Sequence, residues 1–337
     1  MIVYIYIGGS QVRRCRTQNR TGVRTYYFFV NRKHVLLYFN LNIVVKVVVC
    51  LDKTFFLFKF QMSAANITFS TCWYSFKAKH DVATYAQWIR NMLFNVRMYN
   101  LVIYTDEAGM ASFNFDEYAA ANPRIRVVIK PFESFRNYAL KDMWIANHAK
   151  NTHINELVDW RVNALWSEKV HFVNETVNQK YFHTDYYGWC DIGYFRCRNK
   201  QDLSMSQLRR WPNPDKIAAL NPNKIYYACV NNDWTQIEYC IKTINQTPQT
   251  NKPSELDPRL SFIAGGFFML HKSKAEWWAV TYDAKLHQHL TSKRVVKDDQ
   301  QIIVDCVFSK DTQHHFYMCR ETEDRYDNWF LFQRALL

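Results

Sequence analysis

The stretch that decides the fold is NITFSTCWYSFKAKHDVATYAQWIRNMLFNVRMYNLVIYTDE, residues 66–107. It opens with β-branched and aromatic residues, which predict a strand. Apolar residues then recur at helical spacing through TYAQWIRNMLFNV, residues 84–96, which predicts a helix. The run NLVIYTDE, residues 100–107, is largely apolar and ends in acids, as is typical of a buried parallel strand. Strand, helix and strand in this order predict an α/β fold with a doubly wound sheet.

The same alternation continues along the chain, more mixed in its second half, and predicts a mostly parallel central sheet flanked by helices. Further strands are predicted at 124–132, 186–195, 224–230 and 261–272, and helices at 154–178, 274–290 and 298–309. The segment NQTPQTNKPSELDPR, residues 245–259, contains three prolines. It predicts a mobile loop or a domain edge.

Residues 1–61 differ from the rest of the 337-residue chain. They hold ten Lys or Arg residues and one acid, Asp52, so most of the net charge of +13 belongs to them. Polar residues interrupt their apolar run at 34–60, so no stable membrane span is expected. We expect either a β-rich extension or a segment that is not natively translated. Met62 is the preferred native start, and 62–337 is predicted to be a single domain.

The remainder of the chain is close to neutral, so no nucleic-acid partner is expected for it. Nucleic-acid binding through the basic segment 1–61 is a separate hypothesis, which predicts affinity that falls steeply with salt. The nine cysteines are scattered and form no C-x-x-C pair. This pattern favours buried free thiols in a reducing compartment, and therefore a cytoplasmic location.

Acidic residues fall at three places along the carboxyl ends of the predicted strands, where ligands bind in an open α/β sheet. Asp106 follows NLVIYT and is either a helix cap or an acceptor for a ribose or a base. Asp191 follows the apolar run YYGWC, and a carboxylate there needs a partner. That partner is either Arg196 or a ligand or metal ion; a metal would need help from Asp185 or another group.

Two further features have both a structural and a functional interpretation. The paired glycines Gly265 and Gly266 interrupt a strand pattern, which indicates either a β-bulge or the close approach of another group. Asp298 and Asp299 begin a predicted helix. They either complement the helix dipole or supply a general base.

Several well-known sites are absent from the sequence. It has no G-x-x-x-x-G-K-[ST], no G-x-S-x-G, no G-x-G-x-x-G after a strand and no H-E-x-x-H. These absences argue against a P-loop NTPase, an α/β-hydrolase, a dinucleotide-dependent dehydrogenase and a zinc protease.

Six segments, in this order along the chain, resemble the HtrL/YibB-like proteins. They are TFSTCWYSF, NLVIYTDE, LWSEKVHFV, TDYYGWCDIGYFR, IAGGFFMLHKSKAEWW and KDDQQIIVDCVF. The resemblance covers about residues 67–335, and its most specific part is WCDIGYFR, residues 189–196. This family is associated with surface-polysaccharide genes and looks like a branch of the GT-A glycosyltransferases. The resemblance implies a nucleotide-binding α/β sandwich that transfers a sugar from a nucleotide-sugar donor to a hydroxyl of a glycan acceptor.

The resemblance also implies roles for individual residues. Asp191 would hold a divalent metal, Mn²⁺ or Mg²⁺, although Gly193 replaces the second acid of the family's Asp-x-Asp. Asp299, with Asp298 as its rival, would be the catalytic base. The implied nucleotide-sugar-binding residues are Asp106, Lys169, Trp189, Arg196, Gly265 and Gly266. The alternative is a non-catalytic carbohydrate-binding protein with a degenerate glycosyltransferase fold.

Overall fold

A computed structural model describes most of the chain. Side chains are described for residues 66–196, 203–246, 252–321 and 326–337, and backbone alone for five strands before residue 62. The chain divides into two compact units, Met1–Ala64 and Ala65–Leu337. This division lies close to the predicted boundary after residue 61.

The described backbone of the first unit forms an antiparallel meander in the order β1-β2-β3-β4-β5. Its strands are β1 (Arg13–Gln18), β2 (Arg24–Val30), β3 (Lys33–Asn40), β4 (Val44–Leu51) and β5 (Thr54–Gln61). Valine and phenylalanine dominate β4 and β5, and such residues favour the extended backbone. The described backbone of this segment is therefore β-structure, and whether the segment is natively translated stays a prediction.

The second unit is built on a seven-stranded sheet in the order β12-β10-β11-β9-β6-β7-β8. Its strands are β6 (Ile67–Trp73), β7 (Asn100–Thr105), β8 (Ile125–Ile129), β9 (Tyr186–Cys190), β10 (Ile225–Cys229), β11 (Ile263–His271) and β12 (Phe316–Cys319). The strands β8, β7, β6 and β9 pair in parallel, as do β10 and β12. Only β11 runs antiparallel to its neighbours in this sheet. The prediction of an α/β fold with a mixed, mostly parallel sheet is confirmed.

Helices cover both faces of this sheet. They are α1 (Val82–Asn95), α2 (Glu107–Phe113), α3 (Phe115–Ala121), α4 (Lys141–Lys150), α5 (Trp160–Gln179), α6 (Pro214–Ala218), α7 (Trp234–Asn245), α8 (Ala275–Thr291), α9 (Asp299–Phe308) and α10 (Leu331–Ala335). No helix in the described part of the chain combines the length and the apolar character that a membrane crossing requires.

Alternate residues of each strand pack into two separate hydrophobic cores, because successive side chains point to opposite faces of the sheet. On β11, Phe268 and Leu270 join the core that packs against α4, α5, α7, α8 and α9. Phe267 and Met269 join the opposite core, which packs against α1, α3, α6 and α10. The side chains of all six cysteines in the described residues of this unit are free thiols, as the sequence predicts.

Asp residues fix the starts of the helices that border the sheet edge. The Asp81 carboxylate accepts a 2.7 Å hydrogen bond from the Thr84 amide and caps α1. Asp159 does the same for α5, accepting from the Arg161 amide at 2.8 Å. Such caps satisfy amides that the first turn of a helix leaves without partners.

The structure differs from the predicted segments in two places. The strand predicted at 186–195 ends at Cys190, where the chain turns and Tyr194 N–H bonds to the Asp191 carbonyl at 2.8 Å. The helix predicted at 154–178 begins only at Trp160, because Asp159 caps it there. Residues 247–251 of the loop predicted at 245–259 lie outside the described residues.

Candidate functional site

A cavity of about 220 Å³ opens at the edge of the sheet where β6 and β9 end and β11 begins. Parallel strands bring their carboxyl ends to this edge, and antiparallel β11 brings its amino end there. Asp191, Gly265 and Asp299 line the cavity together with Lys169 of α5. The topology therefore gathers residues that are far apart in the sequence at one ligand-sized opening.

The floor of the cavity is an ion cluster centred on Lys169. The Lys169 Nζ lies 3.2 Å from Asp191 Oδ1 and 2.9 Å from Asp299 Oδ2, and it donates a 2.8 Å hydrogen bond to the Gly265 carbonyl. The Lys169 side chain is 7% exposed and that of Asp299 is 5% exposed, whereas that of Asp191 is 41% exposed. The acid that the sequence placed in an apolar run therefore lies against a buried lysine from α5.

The Asp191 carboxylate is also held by the strand that precedes it. The Trp189 indole Nε1–H donates a 2.6 Å hydrogen bond to Asp191 Oδ1. The Trp189 ring is 1% exposed and stacks on Phe172, with ring centroids 5.8 Å apart. Because that ring is locked in the core, it orients Asp191 more than it offers a face to a ligand.

The two glycines of β11 make room for the two carboxylates. A Cβ atom on Gly265 would lie 2.8 Å from Asp299 Oδ2, and one on Gly266 would lie 3.0 Å from Asp191 Oδ2. The pairing register between β10 and β11 also shifts across this stretch, as it does at a β-bulge. The glycine pair therefore lies at a bulge-like register shift and also allows the close approach of other groups, which are the two carboxylates.

Burial sets the protonation behaviour of the cluster. Burial raises the pKa of Asp299 to about 6, and the negative charges of Asp298 and Asp191 act in the same direction. Burial acts to lower the pKa of Lys169, but the two carboxylates beside it outweigh that effect and hold the pKa above its ordinary value. Lys169 therefore stays charged at neutral pH, and Asp299 is the group that can gain and lose a proton near pH 6.

The other acid of the pair caps the helix that carries Asp299. Asp298 Oδ1 accepts a 3.2 Å hydrogen bond from the Gln300 amide at the start of α9, and Lys297 Nζ lies 3.5 Å from Asp298 Oδ2. The cap and dipole interpretation is confirmed for Asp298. Asp298 also lines the cavity, beside Asp299.

Cations and aromatic rings form the walls of the cavity. Lys79 Nζ lies 4.7 Å from the centre of the Trp166 ring. The Arg196 guanidinium lies 4.6 Å from the Trp88 ring and 5.4 Å from the Phe330 ring. Such stacking places the two cations against aromatic surface at the cavity wall.

Several of these wall residues were missed by the sequence reasoning. The cavity is also lined by residues to which the sequence assigned no functional role, namely Trp73, Lys79, His80, Tyr85, Trp166, Trp329 and Phe330. Position relative to a strand is the one available signal: Lys79 and His80 lie in the loop after β6, at the carboxyl end of a parallel strand. Trp329 and Phe330 come from the chain terminus and carry no such signal.

Two other predicted residues lie elsewhere. Asp106 accepts a 2.7 Å hydrogen bond from the Gly109 amide and caps α2, and it is not among the residues that line the cavity. Asp185 precedes β9 and pairs with Lys272 at 2.7 Å. It lies at the opposite end of β9 from Asp191, so the expectation that it helps Asp191 hold a metal is wrong.

The cluster fits an ammonium better than a divalent metal. Asp191 Oδ1 already contacts two donors, the Lys169 ammonium and the Trp189 indole. Among the residues with described side chains, no group of three or more His, Cys, Asp and Glu could hold a metal ion. Mg²⁺ and Mn²⁺ prefer several oxygen ligands, and the metal expected at Asp191 stays a prediction.

No family model matches this chain, and no curated protein matches it significantly.

Proposed function

We propose that the chain is a glycosyltransferase that moves a sugar from a nucleotide-sugar donor to a hydroxyl of a glycan or similar acceptor. The observation that carries the proposal is the meeting of Asp191, Lys169 and Asp299 beneath Gly265 and Gly266 on one cavity floor. The resemblance to HtrL/YibB-like proteins and to GT-A enzymes supports the same function.

The charge distribution of the cavity supports a donor with a diphosphate at one end and a sugar at the other. Lys79 and Arg196 stand on the walls, where their positive charges would face the phosphates. Asp191 is the most exposed acid of the ion cluster, and its carboxylate would accept hydrogen bonds from sugar hydroxyls. The aromatic wall, which includes Trp166 and Trp329, would pack against the base or a sugar ring.

In the proposed reaction Asp299 is the general base. Its carboxylate takes the proton of the acceptor hydroxyl as that oxygen forms a bond to the anomeric carbon. The bond from this carbon to the phosphate oxygen breaks, and its electron pair leaves with the nucleoside diphosphate. A carboxyl with a pKa of about 6 is well matched to this task near neutral pH.

The proposal is tested by incubating the full chain with a panel of nucleotide-sugars and measuring nucleotide release. We expect Asp299→Asn to reduce release by about 10²–10⁴-fold, the range for loss of a general base. Asp283→Asn is the matched control, because Asp283 pairs with His171 at 2.7 Å and does not line the cavity. It should leave the rate of release within about twofold of wild type.

Two outcomes would contradict the proposal. Release that is equal in wild type and Asp299→Asn would remove Asp299 from the chemistry. Binding of glycans with no nucleotide-sugar turnover would favour the non-catalytic carbohydrate-binding protein instead. Isothermal titration with oligosaccharides distinguishes that case.

A further inference from the structure

The oxygen atoms around Lys169 are spaced for an ammonium group. Its Nζ has three oxygen neighbours, one each from Asp191, Asp299 and Gly265, at 3.2, 2.9 and 2.8 Å. An ammonium has three N–H donors and one positive charge. One N–H donates to the Gly265 carbonyl, and the two carboxylate oxygens lie within ion-pair distance of the nitrogen. Mg²⁺ would require its ligands at about 2.0–2.1 Å. The three oxygens would have to move inward by a large part of an ångström to grip such an ion.

The backbone at Asp191 also resists such a collapse. The Asp191 N–H bonds to the Gly266 carbonyl at 2.9 Å, which extends the β9–β11 pairing to the acid itself. The main chain of Asp191 is therefore fixed by a hydrogen bond to β11. Gly265 lies in the stretch of β11 where the pairing register with β10 shifts, and its carbonyl accepts the hydrogen bond from Lys169.

We propose that the Lys169 ammonium takes the place of a divalent cation between Asp191 and Asp299, so that this site binds its donor without a metal. This inference rests on the proposed function for the donor, but its central claim concerns the ion cluster alone. In this role Lys169 screens two carboxylates that would otherwise repel an incoming diphosphate. The positive charges of Lys79 and Arg196 on the cavity wall would balance the remaining negative charge of the phosphates.

The first experiment uses Mn²⁺ alone, titrated into the full-length protein at neutral pH and followed by the free-ion signal in electron paramagnetic resonance. The wild type should show no stoichiometric site that depends on Asp191. One equivalent of bound Mn²⁺ that disappears in Asp191→Asn would overturn the proposal. This readout needs neither donor nor turnover.

Removing the ammonium should create the missing metal site. In Lys169→Ala no ammonium holds the two carboxylates at their distances of 3.2 and 2.9 Å, so their side chains can turn toward one shared ion beside the Gly265 carbonyl. Mn²⁺ should therefore bind at least about tenfold more tightly than to wild type. The gain should vanish in the double variant Lys169→Ala with Asp191→Asn. A folded Lys169→Ala protein that gains no Mn²⁺ affinity would contradict the inference. If that variant fails to fold, the wild-type titration still decides it.

A second measurement separates this inference from the proposed function. Nucleoside diphosphates are titrated into wild type with EDTA and, separately, with Mn²⁺. We expect the affinity of the best ligand to agree within about twofold between the two conditions. Strengthening by about tenfold or more with Mn²⁺ that Asp191→Asn abolishes would overturn the metal-free site. If no nucleotide binds in either condition, the donor proposal is refuted. The Mn²⁺ titration would still test the role of Lys169 in that case.

Discussion

The Asp299 carboxylate occupies the space into which a side chain at Gly265 would project, with its Oδ1 2.9 Å and its Oδ2 2.8 Å from the Cβ position. The Asp299 side chain is only 5% exposed and forms an ion pair with Lys169, so it has little freedom to withdraw. Gly265→Ala should therefore destabilise the fold by about 1–3 kcal/mol and move the proposed base. Urea unfolding and nucleotide release measure the two effects.

Gly266→Ala is the matched control, because the group it would meet can move. Its Cβ would lie 3.0 Å from Asp191 Oδ2, and the Asp191 side chain is 41% exposed. Its cost in stability should be smaller than that of Gly265→Ala. In a background of Asp299→Ala the Gly265→Ala substitution should become nearly neutral. An equal cost with and without the Asp299 side chain would show that the clash lies elsewhere.

The pH dependence of turnover should report Asp299. The proposed base accepts a proton only when ionised, and its pKa is raised to about 6. Therefore kcat/KM should fall about tenfold per pH unit below pH 6 and level off above it. Initial rates between pH 4.5 and 8 with the best donor from the panel provide the measurement. A flat profile across pH 6 would exclude Asp299 as the base.

The Asp298→Asn variant tests which acid of the pair is the base. Asparagine keeps the oxygen that caps α9 at the Gln300 amide, but it removes a negative charge that helps raise the pKa of Asp299. The fall of kcat/KM at low pH should therefore begin at a lower pH than in wild type, while its plateau at higher pH changes by less than about threefold. Loss of activity at every pH would instead make Asp298 the base.

Removing the charge of Lys169 should be costly to stability. Lys169→Met leaves two carboxylates without their buried partner, which typically costs about 3–5 kcal/mol. Asp299 determines how the stability depends on pH. Its raised pKa favours the folded state at low pH, and this stabilisation is lost as the pH rises through the pKa of the folded state. The free energy of unfolding of Lys169→Met should therefore rise more steeply than that of wild type between pH 7 and 5.

Lys285→Met supplies the comparison for that variant. Lys285 is also part of a buried cluster, 3.1 Å from Asp305, but Asp305 keeps a second partner in His289 at 2.9 Å. Burial acts to raise the pKa of Asp305, but its hydrogen bond from His289 and the charge of Lys285 outweigh that effect and lower it. The cost of Lys285→Met should accordingly not shrink between pH 7 and 5. Parallel urea titrations at the two pH values distinguish the variants.

Local chemistry made part of the site predictable from sequence. Asp106 and Asp298 act as helix caps on amides two or three residues away, and such contacts depend only on neighbouring residues. The end of β7 was predictable because its apolar run stops at an acid. The alternation of elements likewise gave the α/β sheet.

Contacts between distant segments were beyond the reach of the same rules. Lys169 lies on a long helix whose apolar pattern indicates a buried face, but periodicity does not specify which strand end that face meets. Its pairing with Asp191 and Asp299 depends on β9 and β11 being neighbours. From sequence, the partner of Asp191 therefore stays open between the nearby Arg196 and a ligand or metal ion, and no pattern marks the loop that carries Lys79.

Trp189→Phe tests whether the indole positions Asp191. Phenylalanine keeps an aromatic ring against Phe172 but removes the N–H that donates to Asp191 Oδ1 at 2.6 Å. Losing a hydrogen bond to a charged group should cost about 1.5–3 kcal/mol, and the freed carboxylate should lower kcat/KM by about tenfold or more. Trp278→Phe is the matched control: it loses an equally buried indole hydrogen bond, 3.2 Å to the Tyr227 hydroxyl, away from the residues that line the cavity. It should lose stability without losing nucleotide release, so equal losses of release in both variants would show that Trp189 acts only through the core.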